Sequence, residues 1–118
     1  MDNVHQQGTD VHNNNPAEEV NYHGVLGQLS QNPLQGVNYG YPFCVAAWDP
    51  STLRDPGVGT GQQFYANIPD GFDMQGADRT CAQYFEPPRV ALPAHTAPLD
   101  IKFTQDGTTA FVSLHGSW

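Results

Sequence analysis

Positive charge is what this sequence has least of. Of its 118 residues only four are Lys or Arg (Arg54, Arg79, Arg89 and Lys102), against 12 Asp and Glu, for a formal net charge of −8. A protein that tracks nucleic-acid phosphates needs a basic stripe, and one that settles on an anionic membrane needs a basic face. Neither class suits this chain. Long apolar runs are missing too, since none approaches the ~20 residues of a membrane-spanning helix. Charged residues make up 14% and hydrophobic ones 38%, which is lean for a self-sufficient core and unlike the Glu/Lys/Leu mixture of helical proteins. Cysteine is equally scarce. Cys44 and Cys81 are too few for a disulfide scaffold, and without CxxC or paired Cys/His spacing a structural zinc site is not expected. Two is still an even count, which in a Gly/Pro/Asn-rich, Lys-poor chain fits one disulfide of a secreted protein; two free buried thiols are the other reading. No phosphate loop, nucleophile elbow or catalytic triad pattern occurs.

Turn chemistry is what the chain has in quantity, with 12 Gly and 10 Pro. Residues 1–18 are polar and read as a loop that needs something to organise it. A short strand is expected around Val20–Tyr22, and GVNYGYPFCVAAW reads as turn and strand rather than helix. DPSTLRDPGVGTGQQF reads as loop, because two Asp-Pro steps and three glycines interrupt any regular element. One short helix is expected near Ala77–Tyr84 with Asp78 as its cap. EPPRVALPAHTAPL should run extended under four prolines. The clearest segment is the last. PLDIKF alternates apolar Leu99, Ile101 and Phe103 with polar Asp100 and Lys102, TQDGTT supplies an Asp-Gly turn, and AFVSLH follows as a more fully buried strand. Together they predict an antiparallel hairpin. The start has neither leader nor amphipathic segment, and the end stops just past an apolar strand, so an internal piece of a larger β-protein is expected.

Two groups of residues carry chemistry. DVHNNNPAEEVN concentrates oxygen donors (Asp10, Asn13, Asn14, Asn15, Glu18, Glu19 and Asn21), and a hard cation such as Ca²⁺ takes about six to eight oxygens, often from an irregular loop. EF-hand spacing is absent, and a solvated loop of Asx-turns explains the same composition. His95 and His115 each stand at the end of an expected strand. They can converge on one pocket as donors, bases or ligands, or serve as two independent caps. His5, His12 and His23 read as surface residues.

NNNPAEEVNYHG, NYGYPFCVAAW, EPPRVALPAHTAPLDIKF and AFVSLHGSW, in this order and over nearly the whole chain, resemble the soluble glucose/sorbosone dehydrogenase family of quinoproteins, and within it the fungal pyranose dehydrogenases that depend on pyrroloquinoline quinone (PQQ). The resemblance implies an all-β fold: residues 1–118 as part, about two blades, of a six-bladed propeller of four-stranded sheets with long irregular loops. It implies PQQ and Ca²⁺ as cofactors, a sugar as substrate, an electron acceptor for which a haem b domain is one candidate, and an extracellular setting with no nucleic-acid or membrane partner. In such enzymes a histidine base takes the hydroxyl proton of the sugar while hydride passes to the quinone. Carried over residue by residue, Asn13 and Asn14 match the loop that offers backbone carbonyls to Ca²⁺. His95 matches a position that contacts the cofactor, and His115 a cofactor-facing position held by Lys in bacterial relatives. Asn14 stands where the pattern leads one to expect Asp. The family's catalytic histidine and its PQQ-clamping arginines have no counterpart here, so no catalytic residue is assigned. A non-catalytic propeller module, or a truncated inactive product, is the alternative.

Overall fold

Burial on both faces of Cys44–Ala46 organises the fold. The computed structural model describes residues 4–6, 9–25, 27, 32–68 and 73–117, and Trp118 and the side chains of His5, Gln6 and Ile68 lie outside this set. Cys44, Val45 and Ala46 form strand β4, which pairs antiparallel with β5 (Gln63–Tyr65), Val45 opposite Phe64. Phe64 is fully buried and meets Val4, Val11, Val45, Ala47, Leu53, Val58 and Ala66 in one apolar cluster. A tight turn leads into β4: both Phe43 and Cys44 donate their N–H groups to the Gly40 carbonyl. Gly40 has φ +103°, and a Cβ there would stand 2.7 Å from the Cys44 carbonyl oxygen, so only glycine fits.

Around this pair lie three further small sheets. Strand β1 (His5–Gln6) pairs antiparallel with β2 (Thr9–Asp10) and parallel with β6 (Asn67–Ile68). That pairing organises the first residues, which composition alone reads as loop. Strand β3 (Glu18–Val20), slightly before the expected Val20–Tyr22, pairs with β7 (Val90–Leu92). The stretch read as loop between Asp49 and Phe64 in fact opens with a 3₁₀ turn at Pro50–Thr52 and closes inside β5. Strand is the commonest regular structure, as expected.

The hairpin forms as β8 (Pro98–Phe103) and β9 (Ala110–Leu114), with Ile101 opposite Val112 and the turn closed by Asp106–Gly107, Gly107 at φ +71°. Its burial differs from the expectation. Leu99, Phe103 and Phe111 are 70%, 64% and 65% exposed, and β9 has no buried residue. The reason is architectural: among the described residues the hairpin is a two-stranded ribbon hydrogen-bonded to no third strand, so alternation cannot become burial.

The helix also departs from expectation. It runs Met74–Tyr84 with Asp73, not Asp78, at its N-cap, the Asp73 carboxylate accepting the Gly76 N–H. Asp78 lies inside the helix, is buried, and accepts the Tyr65 N–H at 2.7 Å. It thus serves the backbone of the neighbouring strand. A second tie is covalent: Cys81 on the helix and Cys44 on β4 form a disulfide with Cα atoms 5.7 Å apart, inside the normal range for such a bridge. Asp78→Ala should destabilise the fold by about 2 kcal/mol, because it leaves a buried N–H without its charged acceptor. Denaturant unfolding of the variant checks this, and an unchanged midpoint would refute it.

Candidate functional site

The oxygen-rich loop is built from its own polar groups. The Asp10 carboxylate accepts the His12 N–H at 2.9 Å, and the Val11 carbonyl accepts the Asn14 N–H at 3.2 Å. Val11 is buried and donates its N–H to the Val4 carbonyl, and Ala17 donates to the Ala46 carbonyl at 2.8 Å. Anchored at both ends, the turn between holds Asn13 and Asn14 exposed and Asn15 fully buried. An open cleft of about 530 Å³ runs beside it, lined among others by Asn13, Asn14, Trp48, Asp49 and Thr60. Asp49 caps the Pro50–Thr52 turn by accepting the Ser51 N–H, and accepts the Asn14 amide at 2.8 Å. The Ser51 hydroxyl and then the Asn14 amide hold its carboxyl below the usual range.

His95 meets this loop across the fold. Its Nε2 lies 2.7 Å from the His12 carbonyl oxygen, and its ring packs edge-on against His12 at 4.8 Å. A carbonyl only accepts, so Nε2 carries the proton in this contact. The backbone that presents His95 is not extended, contrary to the Pro-based expectation. His95 and Ala97 have φ of 62° and 45°, in the left-handed region that non-glycine residues seldom enter. The strain is held from both sides. His115, Gly116 and Ser117 donate their N–H groups to the carbonyls of Ala97, Thr96 and His95 at 3.1, 2.8 and 3.0 Å, and Glu18 accepts the Ala97 N–H at 3.4 Å.

A second cleft, of about 460 Å³, has His12, Glu18, Glu19, Tyr39, Tyr41 and His95 on its walls. Burial pushes the Glu19 carboxyl above the ordinary 4.5, opposed by hydrogen bonds from the Asn21 amide and the Ala46 N–H. His12, expected at the surface, is therefore half-buried against His95, whereas His23 is exposed. The structure brings Asn13, Asn14 and His95 to one end of the fold. It brings the His115 backbone beside His95 but leaves the His115 ring exposed, with Nδ1 2.5 Å from the Gly116 carbonyl. Asp49, readable as a cap before Pro-Ser, is not singled out by the sequence reading; Asn15, counted there among the oxygen donors, is instead buried.

The donor set fits a hard cation. Both cysteines are committed to the disulfide, and among the described residues no three His, Cys, Asp or Glu side chains gather as a metal cluster. What the loop exposes are Asn13 and Asn14, and amide and backbone oxygens are ligands that suit Ca²⁺ rather than zinc. For an anionic quinone, the exposed imidazole of His115 at the end of β9 offers a donor, beside a Gly116 with open space around it.

Strand predominates over helix in this chain, and its oxygen-rich loop is held against His95 across the fold. The whole chain, residues 1–118, matches the family described as TrAA12-like, and it belongs to that family. It is 43% identical over 118 residues to a pyrroloquinoline quinone-dependent sugar dehydrogenase of Hypocrea jecorina (strain QM6a), covering 99% of this chain and 26% of that protein. To a pyrroloquinoline quinone-dependent pyranose dehydrogenase of Coprinopsis cinerea it is 40% identical over 116 residues, covering 98% of this chain and 15% of that one. The calcium structure of the Trichoderma reesei Carbohydrate-Active Enzymes Family AA12 protein superposes with a TM-score of 0.84 at 42% identity, over 99% of this chain and 28% of that one. The holo PQQ domain of the Coprinopsis cinerea pyranose dehydrogenase gives 0.72 at 39% identity, over 92% and 25%. The chain thus spans between 15% and 28% of the length of these relatives.

Proposed function

We propose that this chain is one part, about two blades, of a six-bladed propeller in an extracellular PQQ- and Ca²⁺-dependent dehydrogenase that oxidises pyranose sugars at the anomeric carbon. The observation that carries the reading is the contact of His95 Nε2 with the His12 carbonyl. It joins the oxygen-rich loop to His95 in a chain whose relatives are named PQQ-dependent sugar and pyranose dehydrogenases. The backbone carbonyls of Asn13 and Asn14 would hold Ca²⁺, and His95 and His115 would face PQQ. Bound there, PQQ would supply a hydride acceptor and Ca²⁺ a Lewis acid. His95 contributes orientation, since its Nε2 proton is committed to the loop. His115 contributes a donor to an anionic ligand. In the contact with the Gly116 carbonyl its Nδ1 carries the proton, so donation from Nε2 uses the imidazolium form. The Cys44–Cys81 disulfide supports secretion, because such bridges persist in oxidising compartments. Electrons would leave to an external acceptor, for which a haem b domain is a candidate.

Reconstituting the longer protein with PQQ and Ca²⁺ and following dye reduction on a panel of pyranoses tests this reading. Activity that needs both cofactors is expected; a protein that binds neither would be a non-catalytic propeller module. His115→Gln keeps a donor and should mainly weaken PQQ binding, by about 1–3 kcal/mol for one charge-assisted bond. If PQQ binding were unchanged and turnover fell about a thousandfold, the scale of a lost general base, His115 would be the proton acceptor instead.

A further inference from the structure

Asn13 and Asn14 are followed by an asparagine of opposite character. Asn15 is 0% exposed, and its side-chain amide is saturated. The Nδ2 group donates to the Asp49 carbonyl at 3.1 Å and to the Thr52 hydroxyl at 2.9 Å. Oδ1 accepts the N–H groups of Trp48 at 2.8 Å and Asp49 at 3.3 Å. Two N–H groups and two lone pairs are all that an amide has, and every partner lies in one short segment, residues 48–52. That segment is itself closed by the Asp49 cap and by the Leu53 N–H on the Pro50 carbonyl. Asn15 therefore fastens the oxygen-rich loop to a rigid turn.

We infer that Asn15 is a positioning residue that aims the backbone carbonyls of Asn13 and Asn14 and so sets cation affinity without touching the cation. The inference rests on the Ca²⁺ reading proposed above. The Asn14 carbonyl belongs to the planar peptide unit that ends at the Asn15 nitrogen, so immobilising Asn15 immobilises that plane. On the other side, the His12 carbonyl belongs to the plane that ends at the Asn13 nitrogen, and His95 Nε2–H holds it at 2.7 Å. Residues 13 and 14 are thus clamped at both ends, and the Asn13 carbonyl lies between the clamps. Preorganised oxygens need no reordering when a cation arrives. The exposed Asn14 side chain adds a further tie to the same turn, its amide donating to the Asp49 carboxylate at 2.8 Å.

The test uses the longer protein, stripped of metal and PQQ, titrated with Ca²⁺ alone by calorimetry and with Tb³⁺ as a luminescent stand-in. Outer-layer partners of a metal site typically contribute about 10–100-fold in affinity, and a rise of that size in the Ca²⁺ Kd is expected for Asn15→Ala. Thr52→Val removes one of the four bonds and leaves the amide in place, so a smaller rise of about two- to tenfold is expected. In both variants kcat should return to near the wild-type value at saturating Ca²⁺, because the ligand oxygens remain. A merely structural role would lower the number of competent molecules while leaving the Kd of the folded ones unchanged. A Ca²⁺ Kd within about twofold of wild type in folded Asn15→Ala would overturn the inference. If that variant does not fold, an unchanged Kd in Thr52→Val does the same. Should the wild-type protein itself bind no Ca²⁺, the proposed function falls together with this inference; if only the variants match wild type, this inference alone falls.

Discussion

Replacing Cys44 and Cys81 together by Ala should destabilise the longer protein's fold by about 3–4 kcal/mol, the chain-entropy contribution of a bridge closing a loop of this size. The two residues are 37 apart in sequence and both are buried. The bridge ties the helix Met74–Tyr84 to β4, and Ala46 of that strand accepts the Ala17 N–H that ends the oxygen-rich loop. Loosening β4 therefore reaches the proposed cation site through one hydrogen bond. Thermal and urea unfolding of the oxidised protein and the double variant measure the first effect, and Ca²⁺ titration the second. Midpoints that coincide would show that the bridge constrains nothing.

The 118-residue chain by itself should oxidise no sugar when supplied with PQQ and Ca²⁺. A general base must have a lone pair within reach of the substrate hydroxyl. The resemblance assigns the base to no residue of this chain, and His95 commits its Nε2 proton to the His12 carbonyl. The chain also covers only 26% and 15% of its sugar and pyranose dehydrogenase relatives. A base alone contributes about 10²–10⁴-fold, and substrate positioning would be lost with it. Self-association should accompany the inactivity, because Leu99, Phe103 and Phe111 stand 70%, 64% and 65% exposed on a hairpin whose outer edges pair with no other strand among the described residues. Dye reduction above a no-protein control and abolished by heating would contradict the first expectation, and a monodisperse monomer in light scattering the second.

Local chemistry was readable from the residues alone. Leu99, Ile101 and Phe103 alternate and are followed by Asp106–Gly107, so the hairpin was determined by the period of a strand and by the backbone freedom of one glycine. Two cysteines in a turn-rich chain left a bridge as one of two readings, and the composition of residues 10–21 left a hard-cation loop or a solvated loop of Asx-turns. Folding supplied the rest, since it depends on which distant groups meet. Three consecutive asparagines are alike as letters; Asn15 goes inside because partners 33 to 37 residues away satisfy all of its amide. His95 reaches the loop across 83 residues of sequence, from a backbone turned left-handed where four prolines suggested extension. Asp78, legible as a cap, serves instead as an acceptor for Tyr65, because the helix begins a turn earlier and lies against β5. Period and turn preferences act between neighbours along the chain, whereas burial of a polar group is tolerated only where the completed fold provides its hydrogen-bond partners.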